Sequence, residues 1–286
     1  MKIALIADIH ANAPALQKVL EDLNNRGIQN CLFLGDYILD GFDNKKVLKE
    51  VRKNGNIGVI KGNKEAFYDK EPPSNWFTHD QFTNMVYTLE DLTKEDLEYI
   101  RSLPQYQILE IGKKKILACH GSPYSCRDKY GDSAYEAFDQ LIEEFDFDIF
   151  ITAHTHVGYH TIYKNHHFIN PSSVGMPLDG AGIKYGVLTI SAQKVVYEPI
   201  CLSFEYSLFE KYYKESAFYK KVNTWAKISL MNIKDGYNYT QDFIDRVYGI
   251  AKEKKIDTRE GIPNSLWNTE YKKFIKERKL KRYIEE

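Results

Sequence analysis

The sequence predicts an α/β fold that becomes β-rich beyond His156 and helical beyond about Ser207. Three observations carry this. Short runs of Ile, Leu, Val and Phe stop abruptly at polar residues, as buried strands do. The earliest runs alternate with stretches of helical period. Later runs follow one another through turns, with no helix between them, before the helical pattern returns.

"KIALIADIH" reads as the first strand and stops at Asp8 and His10. "APALQKVLEDLNNRG" then sets Leu16, Val19, Leu20 and Leu23 along one helical face, with Gly27 as a stop signal. "CLFLGD" is a strand ending at Asp36, and "NKKVLKEVRKNG" a helix with Val47, Leu48 and Val51 inward. "IGVIKGN" ends at Asn63, "KKILACHG" at His120, and "FDIFITAHTH" at His154 and His156. "HHFINPSSVGMP", "YGVLTIS" and "KVVYEPICL" are strands joined by turns. Helical stretches follow in "SLFEKYYKESAFYKKVNTWAKISLM", "TQDFIDRVYGIAKEKK" and "SLWNTEYKKFIKERKLKRYIEE". The expected division is a domain over residues 1–203 and a helical extension over 204–286 packed on it. There is no internal repeat and no low-complexity segment.

The 286 residues are 43% hydrophobic and 28% charged with a net charge of −1, the balance of a soluble globular protein. That balance does not point to a nucleic-acid partner. Residues 201–286 hold 18 Lys+Arg against 13 Asp+Glu, which reads as the solvated faces of lysine-rich helices ahead of the alternative, attraction of an anionic substrate or partner. Four cysteines lack CxxC spacing, so neither a zinc ribbon nor a disulfide framework is indicated. The opening "MKIALIADIH" is too short in apolar length for a signal peptide or a membrane span. A cytoplasmic protein without a membrane partner is expected; oligomeric state is not legible.

Ligands of α/β sheets gather beyond the carboxyl ends of the strands. Here five strand ends carry Asp8, His10, Asp36, Asn63, His120, His154 and His156. His154 and His156 would share one side if strand geometry persisted, as a crowded pair of bases or as part of a metal cage. Imidazoles mixed with carboxylates and an amide suit Mn, Fe, Zn, Co or Ni rather than Ca. Seven ligands exceed one tetrahedral zinc and match two divalent ions sharing a carboxylate. Two ions about 3.5–4 Å apart are a standard arrangement for in-line displacement at phosphorus.

The motifs "DIHAN", "GDYILDG", "GNKEA", "CHGSP" and "AHTH" occur in the order and spacing of the calcineurin-like metallophosphoesterases, which residues 1–200 resemble. The resemblance implies a four-layer α/β/β/α sandwich with a dinuclear centre, manganese or iron favoured. Asp8, His10 and His156 would bind one metal, and Asn63, His120 and His154 the other. Asp36 would bridge them, and His154 and His156 would diverge. "NPSSVGMP" is similar to a family turn, with Ser172 in place of a glycine, and Ala153 replaces another. Small-residue replacement costs little unless φ is positive.

The main departure is "GNKE", where Lys64 stands in place of the histidine of the protein phosphatases. With Asp36 and Asn63 it completes the expected catalytic set. Lysine is a poor general acid, which favours substrates with good leaving groups; its alternatives are solvent or a pair with Glu65. Asn12 either contacts phosphate or caps the first helix. Arg127 either clamps phosphate or lies on the surface. His79, His160, His166 and His167 fall outside the pattern, and Cys119 reads as a small core residue.

The chain also resembles, in length and C-terminal helices, the bacterial asymmetric diadenosine tetraphosphate hydrolases and phosphodiesterases. That implies hydrolysis of phosphodiester or phosphoanhydride bonds in nucleotides by a metal-bridging hydroxide. C-terminal aromatic rings would then stack on adenine. The alternatives are a phosphomonoesterase, protein Ser/Thr phosphatase included, and a non-catalytic scaffold of the same fold.

Overall fold

The computed structural model describes residues 1–191, 194–259 and 261–278. The end of the last expected helix, from residue 279, lies outside them.

Two five-stranded sheets form the centre. In the first, β1 (Lys2–Ile6), β2 (Cys31–Phe33) and β3 (Gly58–Val59) run parallel. The helices α1 (Ala13–Asn25) and α2 (Asn44–Asn54) connect them in turn. The second sheet starts with the antiparallel pair β4 (Tyr106–Ile111) and β5 (Lys114–Cys119). It continues through β6 (Ile149–Ile151) to β8 (His166–Asn170), with β7 (Tyr159–Tyr163) at its edge. The chain then returns to the first sheet as β9 (Ile183–Ile190) and β10 (Val195–Leu202), β9 lying antiparallel to β1.

Side-chain alternation shows why these strands read as unbroken apolar runs. Ile3, Leu5 and Ala7 join a core with Ile116, Ala118, Ile149 and Ile151 of the other sheet, whereas Ala4 and Ile6 pack under α1 and α2. On the second sheet Leu117, Cys119 and Phe150 face Phe138 and Leu141 of α6 (Tyr135–Glu144). At the central strands both faces are covered, so period-two polarity disappears there. The result is an α/β/β/α sandwich.

The sequence pattern revealed neither α4 (Thr83–Asp91) and α5 (Lys94–Ser102) nor α3 (Asn63–Ala66), β4 and α6. Strand β4 alternates exposed and half-buried residues, so it has no apolar run. The first C-terminal stretch is three helices: α7 (Tyr206–Glu215), α8 (Ala217–Val222) and α9 (Thr224–Asp235). Ser216 starts α8 by accepting from the Tyr219 backbone N–H, and Asn223, at φ 50°, turns the chain into α9. Gly236, at φ 62°, ends α9 before α10 (Tyr239–Glu253), and α11 (Asn264–Glu277) completes the extension. Met176, Phe42 and Tyr87 of the sandwich share a core with Phe209, Tyr213 and Phe218. No described helix is long and apolar enough to cross a membrane.

Candidate metal centre

The ends of β1, β2, β5 and β6 and the start of α3 converge. Two groups of metal-competent atoms form there, each within 4.8 Å: Asp8, His10, Asp36 and His156, and Asp36, His120 and His154. Asp36 belongs to both. Asn63 joins the second group through Oδ1, 3.0 Å from His120 Nε2. All seven residues singled out at strand ends therefore meet in one place. His79, His160, His166 and His167 are not in either group.

The backbone is responsible for this convergence. Asp8, His10, Asp36, His154 and His156 all have φ between 50° and 64°. Non-glycine residues rarely adopt this left-handed region, and such strain concentrates at functional sites. Strand β6 ends at Ile151, so the same-side rule does not govern His154 and His156. They part instead: the His154 ring lies 5.2 Å from that of His120, and the His156 ring 4.8 Å from that of His10. Ala153 is not among the positive-φ residues, whereas Ser172 is, at φ 66°.

Backbone acceptors orient two of the imidazoles, and a carboxylate stands beside a third. His120 Nδ1 bonds Leu34 O at 2.7 Å and His156 Nδ1 bonds Met176 O at 2.6 Å, leaving each Nε2 facing the centre. His10 Nδ1 stands 3.2 Å from Asp40 Oδ2. Glu65 is fully buried and organises the loop that carries Asp36. Its Oε2 accepts from the Asp36 and Gly62 N–H groups, and its Oε1 from Tyr37 and Ile38. A Cβ on Gly62 would lie 2.2 Å from Asp36 N, so the Gly-Asn turn needs glycine for this approach.

The electrostatics fit a cation. Asp8 is fully buried, and neither of its carboxylate oxygens accepts a hydrogen bond among the described residues. Oδ1 faces imidazole nitrogens, His156 Nε2 at 3.2 Å and His120 Nε2 at 3.9 Å. An orphaned buried carboxylate is costly without a positive partner. Burial would raise the Asp36 carboxyl, but His120, His10 and Lys64 hold it well below the usual carboxylate range. His120 is raised to about 9: burial opposes the shift and the charges of Asp36 and Asp8 prevail. His154 falls to about 4, through burial and the neighbouring His120. Glu65 rises to about 7, through burial and the charge of Asp36.

A cavity of about 290 Å³ opens over this cluster. His10, Asp36, Asn63, His154 and His156 form its floor, and Lys64, Asp40 and Lys129 one flank. Lys64 neither points to solvent nor pairs with Glu65: its Nζ lies 3.0 Å from Asp40 Oδ2. Asn12 is committed elsewhere: it is buried, its Oδ1 caps α1 at Ala15 N, its Nδ2 donates to Gly175 O, and it does not line the cavity. Arg127 is exposed, lies over the Phe67 ring at 4.9 Å and does not line the cavity, a position that Lys129 takes. Asp40 and Lys129 escaped sequence reasoning. The second carboxylate of "GDYILDG" was the available signal for Asp40.

A further wall comes from α9, α10 and the turn between them: Asn232, Asn238, Thr240, Gln241 and Ile244. No phenyl, phenol or indole ring lines the cavity among the described residues, so the expected stacking platform for adenine is not there. Trp225, Phe243 and Trp267 of the C-terminal region pack among the helices instead, while Tyr212, Tyr237 and Tyr248 are exposed away from the cavity lining.

Comparison with known proteins agrees with this fold. The chain is 27% identical over 195 residues to the uncharacterized protein MJ0912 of Methanocaldococcus jannaschii, a match spanning 62% of this chain and 78% of the relative. Its fold is similar to that of the hypothetical protein PH1004 of Pyrococcus horikoshii OT3, with a TM-score of 0.66 and 23% identity over 82% of this chain and 98% of the other. A metallophosphoesterase from Sphaerobacter thermophilus aligns with a TM-score of 0.62 and 24% identity over 75% and 94%. Residues 1–193, which carry both sheets up to β9 and every candidate ligand, match the calcineurin-like phosphoesterase superfamily domain, and the chain belongs to that family.

Proposed function

We propose that this protein hydrolyses phosphodiester or phosphoanhydride bonds of small molecules at a centre of two divalent ions. The observation that carries the reading is Asp36, a buried carboxylate shared by two groups of metal-competent side chains. Asp8, His10 and His156 would hold one ion, Asn63, His120 and His154 the other, and Asp36 both. When bound, such ions polarise phosphoryl oxygens and supply a nucleophile at neutral pH. Manganese or iron is our preferred ion.

The chain's own residues do the positioning. Leu34 O and Met176 O keep the Nδ1 protons of His120 and His156, so their Nε2 lone pairs face inward. Burial would lower the Lys64 ammonium, but the Asp40 and Asp36 charges prevail and raise it above its ordinary pKa, so it remains a cation at the cavity flank. It is therefore suited to holding a phosphoryl oxygen and unsuited to protonating a leaving group. This favours substrates whose leaving group is already good. Nucleotides, diadenosine tetraphosphate among them, are the substrate class we favour. A phosphomonoesterase is the second reading, since the polar floor also accepts a terminal phosphate.

We further propose that residues 1–203 are the hydrolase domain and 204–286 an extension closing one side of its site. Support comes from the core of Ile228, Met231, Phe243, Val247 and Trp267, which the extension forms by itself. A cytoplasmic setting accords with four unpaired cysteines.

The test is product analysis after Mn²⁺-loaded protein meets diadenosine tetraphosphate and, separately, bis(p-nitrophenyl) phosphate. Cleavage of either that disappears on chelation supports the hydrolase. ATP plus AMP from the first supports the nucleotide reading. Hydrolysis of neither overturns the proposal.

A further inference from the structure

We propose that the α9–α10 wall is a subsite for the hydroxyl-bearing portion of a sugar or polyol phosphoester, read by Asn238, Thr240 and Gln241. This rests on the hydrolase reading for the phosphate end of the ligand and adds what lies beside it.

The chemistry of the wall is the argument. A hydroxyl both donates and accepts, so a site that reads it needs one group of each kind. Asn238 spends its Oδ1 in capping α10 at Gln241 N (3.0 Å), which leaves its Nδ2 to donate. Gln241 spends its Nε2 on Asp245 Oδ1 at 2.8 Å, which leaves its Oε1 to accept. Thr240 Oγ1 accepts from Asn232 Nδ2 at 2.8 Å, which leaves the hydroxyl proton to donate. A donor, an acceptor and a second donor are thus prepared along the wall of a cavity that Lys64 and Lys129 also line. No carboxylate or ammonium from α9 or α10 lines the cavity, so this wall does not select a second charge. Nor does it offer a ring for a base. Its complement is neutral, compact and rich in hydroxyls, joined to a phosphoryl group held at the floor.

The wall is also held in place rather than loosely apposed. Buried Asn232 accepts from Tyr239 N at 3.0 Å and reaches Met176 Sδ with its amide at 3.5 Å. Met176 is the residue whose carbonyl oxygen orients His156. At the turn, Gly180 N donates to Gly236 O, and a Cβ on Gly236 would come within 2.2 Å of Gly180 C. One residue therefore links the wall to the metal centre, and a glycine contact fixes their spacing. Asn238 and Thr240 are half-buried and Gln241 is exposed, so water can replace a missing hydroxyl, and each hydrogen bond to a ligand adds a few-fold to about tenfold in affinity.

Two ligands that cannot be hydrolysed separate the alternatives: the phosphonate isostere of ribose 5-phosphate, and butylphosphonate, with the same head and no hydroxyl. Calorimetric titration of the full, Mn²⁺-loaded chain should show the first binding at least about tenfold tighter. In Gln241→Ala and in Asn238→Ser, which keeps a capping oxygen, the ratio should fall several-fold towards unity. Equal affinity in the unsubstituted protein, no binding of either ligand, or a ratio unchanged in both variants would overturn the subsite. The hydrolase reading fails differently. A preserved hydroxyl preference with no Mn²⁺-dependent cleavage of any phosphoester leaves the subsite standing and removes the reaction. Cleavage of bis(p-nitrophenyl) phosphate without hydroxyl preference does the reverse.

Discussion

Lys64 Nζ lies 3.0 Å from Asp40 Oδ2, and the same oxygen stands 3.2 Å from Nδ1 of His10. Asp40 thereby sets the flank of the cavity and one imidazole of its floor together. Its other oxygen accepts from Asn84 Nδ2 at 2.6 Å, and its carbonyl accepts from Tyr213 OH of the extension at 3.3 Å. Leu39 and Asp40 both sit at positive φ, 70° and 65°, a strained pair that these contacts hold. Asp40→Ala should loosen metal binding by about 10–100-fold, the usual effect of losing a partner of a metal-binding histidine. Lys64→Met should leave metal affinity near normal and raise KM. Metal titration beside steady-state kinetics separates the two, and equal loss of metal in both variants would refute the assignment.

Asp36→Asn should remove most activity, by about three orders of magnitude, because both groups lose their shared ligand. Metal content by emission spectroscopy should fall in parallel. A variant that retains both ions and full turnover would show that Asp36 does not bridge.

Metal affinity should rise with pH. In the metal-free centre His120 is raised to about 9, with burial opposing and Asp36 and Asp8 prevailing, so near neutrality it carries a proton that an ion must displace. Below that value the apparent affinity should increase by up to about tenfold per pH unit from this group, levelling off above it. Mn²⁺ titrations in two buffers of different ionisation enthalpy would count the proton released. A count of zero at neutral pH contradicts the shift.

How much of this was legible in the sequence depends on what each residue's role leaves visible. Buried strands with both faces covered show as apolar runs, so β1, β2, β5 and β6 were readable, and with them the polar residues at their ends. Strand β4 alternates exposed and half-buried residues, and α4 buries only Asn84 and Thr88, so neither shows such a run; α5 and α6 do carry an apolar face, Ile100 in one and Phe138 and Leu141 in the other, a signal the strand pattern overshadowed. The divergence of His154 from His156 was supplied by resemblance alone, because i, i+2 spacing says nothing once the backbone turns left-handed. Asp40 and the amides of α10 were invisible for another reason. Asp40 acts through contacts 24 to 173 residues away in the chain, to Lys64 and Tyr213, and the α10 amides matter only because folding sets them beside the strand ends; Asn or Gln on a helix otherwise signals nothing but solvent.

Glu65→Gln tests the support of the Asp36 loop. The carboxylate accepts four backbone N–H groups, and an amide nitrogen would turn one accepting atom into a donor facing N–H. The expected loss of stability is about 2–4 kcal/mol, by chemical denaturation of the metal-free protein. Glu65→Asp keeps the charge but shortens the reach and should recover only part of it. A change below about 0.5 kcal/mol in Glu65→Gln would mean the loop is held by other contacts.

Ser172 stands where a glycine would be relaxed, and two opposing effects meet there. At φ 66° a Cβ costs about 1–2 kcal/mol. Against this, Ser172 Oγ lies 3.1 Å from His156 O and 2.9 Å from Asp179 Oδ1. Its single proton serves one acceptor at a time, so the side chain returns about 1 kcal/mol. Ser172→Gly relieves the strain and loses the hydrogen bond, so its net change should lie within about 1 kcal/mol of zero. Ser172→Ala keeps the strain and loses the bond, and should be destabilised by about 1 kcal/mol. The alanine variant should therefore be the less stable of the two by roughly 1–2 kcal/mol in denaturant titrations. Reversal of that order would show that the left-handed conformation at Ser172 carries no strain.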